Sequence, residues 1–504
     1  PEVEDWFENQ FLKENNFLNW RENIITLHTT KDSQNNQSKA YRRLVFDEIC
    51  ANFLTLSENR KKIKKRKKNK FFKSIVAEQI LKSLPFDLTK CQKKVLDEIN
   101  LDLRSNFRMF RIIQGDVGSG KTIVSLLSIA NVVESNYQCA LMAPTEILAK
   151  QHFNLAKNIF KKTNVNVEFL TGKTENKKRK DIISNLESGK IDVVVGTHSL
   201  FQKKINFKNL GLIIIDEQHK FGVKQRSELA KKGGDNCDVL LMSATPIPRT
   251  MIMSLYGDMD ISKILEKPNK RKKILTISKP EKKIDELWSF IRKQIKLDNQ
   301  IFWVCPLIEE SSFLDYSSAK KKFDIINKKF PNKVALIHGA LDKIERDKIL
   351  DDFLKKKVHI LVSTTVIEVG IDFPNANLII IENANKFGLA QLHQLRGRVG
   401  RGNKQGVCIL LFKEGLSKNA IKRIKILKNS DDGFYIAEED MRLRGFGDII
   451  GFQQSGIKNF RFADPVIHED LFLLAEKYIK NNKINVNEDK FTFLLKLFDK
   501  AEII

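Results

Sequence analysis

Gly115-Asp116-Val117-Gly118-Ser119-Gly120-Lys121-Thr122 follows the apolar run Phe110-Arg111-Ile112-Ile113 and opens a helical pattern. It fits G-x-x-x-x-G-K-[ST] in the strand-then-helix setting that a phosphate loop requires. Gly115, Gly118 and Gly120 let the backbone N–H groups of the loop, including those of Asp116 and Ser119, wrap phosphates. Lys121 is expected to reach the β- and γ-phosphates, and the Thr122 hydroxyl to bind Mg²⁺. The alternative reading is a tight strand-to-helix turn without a ligand.

About a hundred residues on, Ile213-Ile214-Ile215-Asp216-Glu217-Gln218-His219 ends a second apolar run in paired carboxylates. Asp216 is expected to hold Mg²⁺, and Glu217 to orient or deprotonate an attacking water. Two acids after a strand are common alone; joined to the phosphate loop they specify a nucleoside-triphosphate-hydrolysing site. Ser243-Ala244-Thr245-Pro246 follows a further strand.

The surrounding pattern gives the fold class. Phe110–Ile113, Ala140–Met142, Val165–Leu170, Asp192–Val195, Leu212–Ile215 and Val239–Met242 are short apolar runs alternating with helical segments. Such runs indicate α/β architecture, a parallel sheet covered on both faces. A second series repeats the theme at Ile301–Val304, Val334–Ile337, His359–Val362, Leu378–Ile381 and Val407–Leu411. Two α/β domains in tandem are therefore expected, at 85–268 and 269–425, meeting near the polar stretch Glu266–Lys273. Helical segments flank them at 1–84 and 426–504. The second domain has no phosphate loop, but it carries Gln394-Leu395-Arg396-Gly397-Arg398-Val399-Gly400-Arg401. Arg398 and Arg401 could stabilise charge on a nucleotide only when the two domains close on it, which would tie hydrolysis to domain motion.

The chain has 504 residues, 42% of them hydrophobic, and a net charge of +26, so it folds and is basic. Lys outnumbers Arg 67 to 21, and a Lys-rich surface can be only solvated. The arginines are more telling, because six of them lie within residues 396–444, where a guanidinium fork does what Lys cannot. Arg60–Lys73 holds ten basic residues in fourteen, read either as a solvated face or as a phosphate-binding strip. No apolar run approaches the ~18 residues of a membrane span. The six cysteines form no CxxC pair and no zinc spacing, which reads as free thiols in a reducing compartment. Pro1 in place of Met suggests a natural start further upstream.

In order, the phosphate loop, Asp-Glu-x-His, Ser-Ala-Thr and Gln-x-x-Gly-Arg-x-Gly-Arg resemble superfamily 2 helicases and translocases. Leu84 to Gln92, Ala143 to Ala149, the continuation Lys220-Phe221-Gly222-Val223 and Ser243 to Thr250 narrow the resemblance, as do Asp440 to Gly445 and Gly451 to Gly456. These stretches resemble the bacterial branch-migrating DNA helicases of the RecG family over about residues 1–480. The transcription-repair coupling translocases are the alternative, and their phosphate loop and acidic motif are usually worded differently.

The resemblance implies two RecA-like domains, a helical connector before them and a helical hairpin after them. It implies ATP as fuel, with Phe86 and Gln92 reading adenine, Asp372 near the nucleotide, and Gln394, Arg398 and Arg401 reaching the γ-phosphate. Thr145, Thr171, Gly172, Thr197 and His198 would face the DNA backbone. Ser243 and Thr245 would couple hydrolysis to movement, and Thr364 and Thr365 would join DNA contact to the nucleotide cleft. Arg442 and Arg444, in the hairpin and loop, would be internal ties or phosphate contacts. Phe446 stands where the family commonly has Pro or a small residue, which leaves the loop's shape open.

The implied partners are branched double-stranded DNA, namely forks and four-way junctions, and a single-strand-binding protein. A monomer is expected, located in the bacterial cytoplasm at the nucleoid. The family's N-terminal wedge domain has no match in residues 1–84. Residues 1–504 are accordingly expected to support DNA-stimulated hydrolysis and to regress forks poorly.

Overall fold

The structure, a computed structural model, describes residues 4–29, 37–63, 66–202, 204–217, 234–244, 259–268, 272–306, 312–339, 341–364, 373–400, 402, 404–444, 460–465, 467–482, 484, 486 and 488–498. Thr245, Thr365, Asp372, Arg401, Phe446 and the side chain of Arg444 lie outside the described residues, as do Gln218 and His219.

The apolar runs of the first series become strands β1 (Phe110–Gly115), β2 (Gln138–Met142), β3 (Val167–Leu170), β4 (Val193–Gly196), β5 (Leu210–Ile215) and β6 (Asp238–Ser243), joined by β7 (Asp260–Ile264). They form one sheet in the order β3-β4-β2-β5-β6-β1-β7. β2, β4, β5 and β6 are buried at every residue, because helices cover both faces. The paired strands from β3 through β1 run parallel, with Gln114 opposite Ser243 and Ile215 opposite Leu241. Parallel pairing in this register sets the ends of β1, β5 and β6 side by side, so the phosphate loop, Asp216-Glu217 and Ser243 emerge on one edge.

The second series gives β8 (Leu275–Pro280), β9 (Gln300–Val304), β10 (Val334–Ile337), β11 (Ile360–Ser363), β12 (Ala376–Ile381) and β13 (Val407–Phe412). Their order is β10-β11-β9-β12-β13-β8, and every pair is parallel. The chain thus contains two parallel-sheet α/β domains in tandem, both of the RecA-like type and both within one compact unit that spans 67–246 and 261–440.

The other compact unit combines the described parts of 1–66, 247–260 and 441–504. The sequence reading places the first and last of these segments at opposite ends of the chain, yet their aromatic residues share one core. Trp6, Phe7, Phe46 and Phe53 pack with Phe472, Phe491 and Phe498. Polar groups lock the junction: the Glu48 carboxylate accepts the backbone N–H groups of Phe462 and Ala463, both at 2.9 Å, and the Tyr41 hydroxyl donates to the Phe462 carbonyl at 3.2 Å.

Part of the basic run Arg60–Lys73 is tied into the fold, while Lys61, Arg66, Lys68 and Lys73 are exposed. Lys67 and Lys70 are buried and hold Asp238, at the start of β6, at 2.7 and 2.6 Å. The Met109 N–H also donates to Asp238, at 2.6 Å. Burial pushes the Lys67 ammonium below its usual range, while the Asp238 carboxylate opposes that shift. Arg60 pairs with Asp260. These cations are structural ties, because a carboxylate in the interior must be matched by charge, and removing one partner of such a group costs about 3–5 kcal/mol.

Candidate active site at the interdomain cleft

The phosphate loop leaves β1 and enters helix α6 (Lys121–Glu134). Gly118 and Gly120 have φ of 79° and 90°, a left-handed backbone that only glycine adopts without strain. A Cβ on Gly120 would lie 2.2 Å from the Gln92 amide nitrogen, so a side chain there would displace that amide. Gln92 sits in a capping box at the start of helix α5 (Lys90–Arg104): its Oε1 accepts the Thr89 N–H at 2.9 Å, and its Nε2 donates to the Ser119 carbonyl at 2.7 Å. The residue expected to read adenine therefore also braces the loop. Phe86 is 40% exposed, a ring face open to stacking.

Lys121 is buried, and its ammonium donates to the carbonyls of Gly115 at 2.7 Å and Asp116 at 3.0 Å. It is near enough to Asp216 that its charge helps hold that carboxylate ionised. Burial would push the Asp216 carboxyl up. The hydrogen bond and charge of His152, the Lys121 charge and the Glu217 N–H outweigh burial and hold it below the usual range. His152 Nε2 lies 2.8 Å from Asp216 Oδ2, and the Glu217 N–H donates to Oδ1 at 2.9 Å. Glu217 is buried with φ of 51°, a strained conformation for a residue with a side chain, as functional loops tend to store. The ionised Asp216 carboxylate and the half-buried Thr122 hydroxyl at the start of α6 are both hard-oxygen donors. They suit Mg²⁺, which takes one or two protein ligands and completes its shell with water and phosphate.

The second domain reaches the same loop. Helix α12 (Leu389–Arg396) carries the start of the arginine motif, and its His393 Nε2 lies 3.2 Å from Asp116 Oδ1. Arg396, which can only donate, bonds His393 Nδ1 at 2.9 Å, so His393 accepts at Nδ1 and donates from Nε2 to Asp116. Arg396 also donates to the Ser430 carbonyl at 2.9 Å and pairs with Asp431 at 3.3 Å. Lys267, between the sheets in sequence, pairs with Asp116 at 2.9 Å. Burial would raise the Asp116 carboxyl, but His393 and Lys267 together hold it well below the usual carboxylate range. A Cβ on Gly433 would fall 1.8 Å from Asp116 Oδ1, so only glycine fits there. These groups border a cavity of about 450 Å³ lined by Asp116, Val117, Lys267, His393, Arg396 and Phe434, among others. Arg398 is buried and Gln394 half-buried beside them in sequence.

The remaining expected residues are spread over the first sheet's loops and beyond. Thr145 caps helix α7 (Glu146–Ile159), accepting the Leu148 N–H at 3.3 Å. Thr171 is buried and Gly172 has open space on its Cβ side, while Lys173 pairs with Glu146 and Asp347 at 3.2 and 3.1 Å. Thr197 Oγ1 lies 3.4 Å from Ser199 Oγ. His198 is held below its usual range by burial. Ser243 and Thr364 are buried at strand ends, and Arg442 is exposed on helix α14 (Gly433–Arg444). Sequence reading missed His152, Lys267, His393 and Gly433. Each is an isolated residue whose partner lies tens to hundreds of positions away, so no spacing signals it.

Residues 89–253 match the DEAD/DEAH box helicase family, and residues 261–403 match the helicase conserved C-terminal domain family. The ATP-dependent DNA helicase RecG of Thermotoga maritima is 45% identical over 86% of this chain and 56% of its own length. That of Treponema pallidum is 39% identical over 90% of this chain and 70% of its own length. A structure of RecG bound to a three-way DNA junction superposes with a TM-score of 0.77 at 39% identity, covering 94% of this chain and 62% of that one. The chain spans little more than half to about two thirds of the curated relatives it matches. Two RecA-like sheets, one phosphate loop facing an arginine-bearing helix, and identity at this level over most of the chain lead to one assignment: the chain belongs to the RecG family of ATP-dependent DNA helicases.

Proposed function

We propose that the chain is an ATP-driven double-stranded DNA translocase that processes branched DNA, regressing stalled forks and migrating four-way junctions. The observation that carries this reading is the bond from His393 in the second domain to Asp116 in the phosphate loop, which supports a nucleotide cleft shared by both domains. A site divided in this way changes when the domains close, and that is how hydrolysis becomes movement.

In the cycle, ATP stacks its base on Phe86 and lays its phosphates along Gly115–Thr122. Lys121 leaves its backbone carbonyls for the β- and γ-phosphates. Thr122 and Asp216 would hold Mg²⁺, which would supply charge neutralisation at the phosphates. Glu217 aligns the water, while Gln394, Arg398 and Arg401 stabilise charge at the γ-phosphate. Thr145, Thr171, Gly172, Thr197 and His198 grip the DNA backbone, and Ser243, Thr245, Thr364 and Thr365 pass the change at the γ-phosphate to that grip. Arg442 and Arg444 belong to the hairpin that moves the duplex. The chain works as a monomer in the bacterial cytoplasm at the nucleoid, with single-strand-binding protein as a partner. Among the described residues no helix is long and apolar enough to cross a membrane.

Triplex displacement tests the translocation directly. A third strand annealed in the major groove of a duplex should be released only with hydrolysable ATP. ATP consumption on that duplex without release would contradict translocation.

A further inference from the structure

His152 has no place in the reaction as described, yet it makes one of the best-formed polar contacts in the site. It is 6% exposed, and its Nε2 lies 2.8 Å from Oδ2 of Asp216, which is itself buried. An ionised carboxylate can only accept, so the imidazole donates. The other oxygen of Asp216 accepts the Glu217 N–H at 2.9 Å. The two bonds hold both ends of the carboxylate and fix its rotation about Cβ–Cγ, leaving the remaining lone pairs to a metal. Mg²⁺ tolerates little departure from octahedral geometry, so a carboxylate free to swing would hold it poorly.

The helix that carries His152 gives the contact a second meaning. Thr145 caps α7, and His152 lies seven residues on. Seven residues are close to two turns, so the two share a helix face roughly 10 Å apart along the axis. At the Thr145 end, Glu146 pairs with Lys173, directly after Thr171 and Gly172. Lys173 also holds Asp347 of the second domain, so a phosphate arriving there competes for a cation that α7 already engages. Ala149 and Leu148 are buried in the same stretch, which anchors the helix as a stiff rod between the two ends.

We propose that His152 is a positioning residue: it orients the metal-holding carboxylate of Asp216, and through α7 it makes that orientation respond to DNA backbone contact at Thr145 and Lys173. The second half rests on the DNA-translocase reading above. His152 touches neither nucleotide nor DNA and acts through Asp216.

The test compares His152→Leu, which removes the donor, with His152→Gln, which keeps an N–H at similar reach. Three quantities are read: the Mg²⁺ concentration for half-maximal ATP turnover, the ratio of duplex-stimulated to DNA-free turnover, and the affinity for a fluorescent ADP analogue with and without Mg²⁺. His152→Leu should weaken Mg²⁺-dependent nucleotide binding and raise the Mg²⁺ requirement about 10–100-fold. It should also pull the stimulation ratio toward one, while Mg²⁺-free nucleotide binding and duplex affinity stay as in the parent. His152→Gln should recover most of both effects. The proposal is overturned if His152→Leu keeps the parent's Mg²⁺ requirement and ratio. It is equally overturned if both variants lose Mg²⁺-free binding and thermal stability together, since His152 is then only a core residue. A parent protein with no DNA response at all would instead count against the translocase reading. The Mg²⁺ readouts would still judge His152.

Discussion

Lys121→Ala is expected to lower ATP turnover by at least about 10²–10³-fold, the loss seen when one preorganised charge-stabilising donor is removed from a transition state. Lys121 is buried, and its ammonium donates to backbone carbonyls of its own loop, those of Gly115 and Asp116. Its ammonium balances the nearby Asp216 carboxylate, so the substitution also shifts that group upward toward the usual range. Neither change touches the sheet cores, and the melting temperature should move by only a few degrees, because alanine is tolerated at the first position of α6. Steady-state turnover with circular dichroism melting checks both halves. Parent-like turnover in a folded variant would remove Lys121 from the site.

Glu217→Gln should have a comparable effect on turnover with the opposite effect on binding. Loss of a positioned base costs about 10²–10⁴-fold, and the amide keeps the side chain's volume and its buried place. Nucleotide affinity should be retained or rise, because a carboxylate that repels the γ-phosphate is replaced by a neutral group. The φ of 51° at Glu217 is set by the turn after β5 and does not depend on the side-chain charge, so the strained backbone should persist. A single-turnover assay beside an equilibrium binding assay separates the two. Weaker binding with unchanged turnover would assign Glu217 to substrate contact rather than to activation of water.

These two residues were legible in the sequence because their function depends on local spacing. A phosphate loop must place its glycines and its Lys within eight residues, and a strand that ends in acids shows as an apolar run followed by charge. The sheets were legible for the same reason, since strands buried on both faces leave continuous apolar runs such as Leu212–Ile215 and Leu378–Ile381. What could not be read is held by partners distant in sequence. Lys67 and Lys70 looked like surface charge until Asp238, some 170 positions on, placed them in the interior. His393 meets Asp116 across 277 positions, and Glu48 meets Phe462 across 414. Trp6 and Phe498 belong to one core only because the two ends of the chain pack together. Gln92 shows a third case: its type and place were apparent, but its bond to the Ser119 carbonyl, which braces the phosphate loop, depends on geometry that a motif does not carry.

The arginines illustrate how charge divides between structure and chemistry. Arg396, inside the motif expected to face ATP, is buried and spends its guanidinium on His393, the Ser430 carbonyl and Asp431. It therefore organises the cleft from the second domain's side, while Gln394 and Arg398 are the motif's described candidates for the γ-phosphate. The net charge of +26 consequently overstates the DNA-facing surface, since part of it is buried in ties such as those to Asp238.

The measurement that bears most directly on the central claim is steady-state ATP turnover without DNA and with single-stranded, duplex and forked DNA, repeated over a range of salt. The account predicts stimulation on the order of tenfold or more by DNA containing duplex, strongest for the fork, and falling steeply with salt as phosphate contacts are screened. A rate indifferent to DNA, or one raised only by single strands, would contradict it.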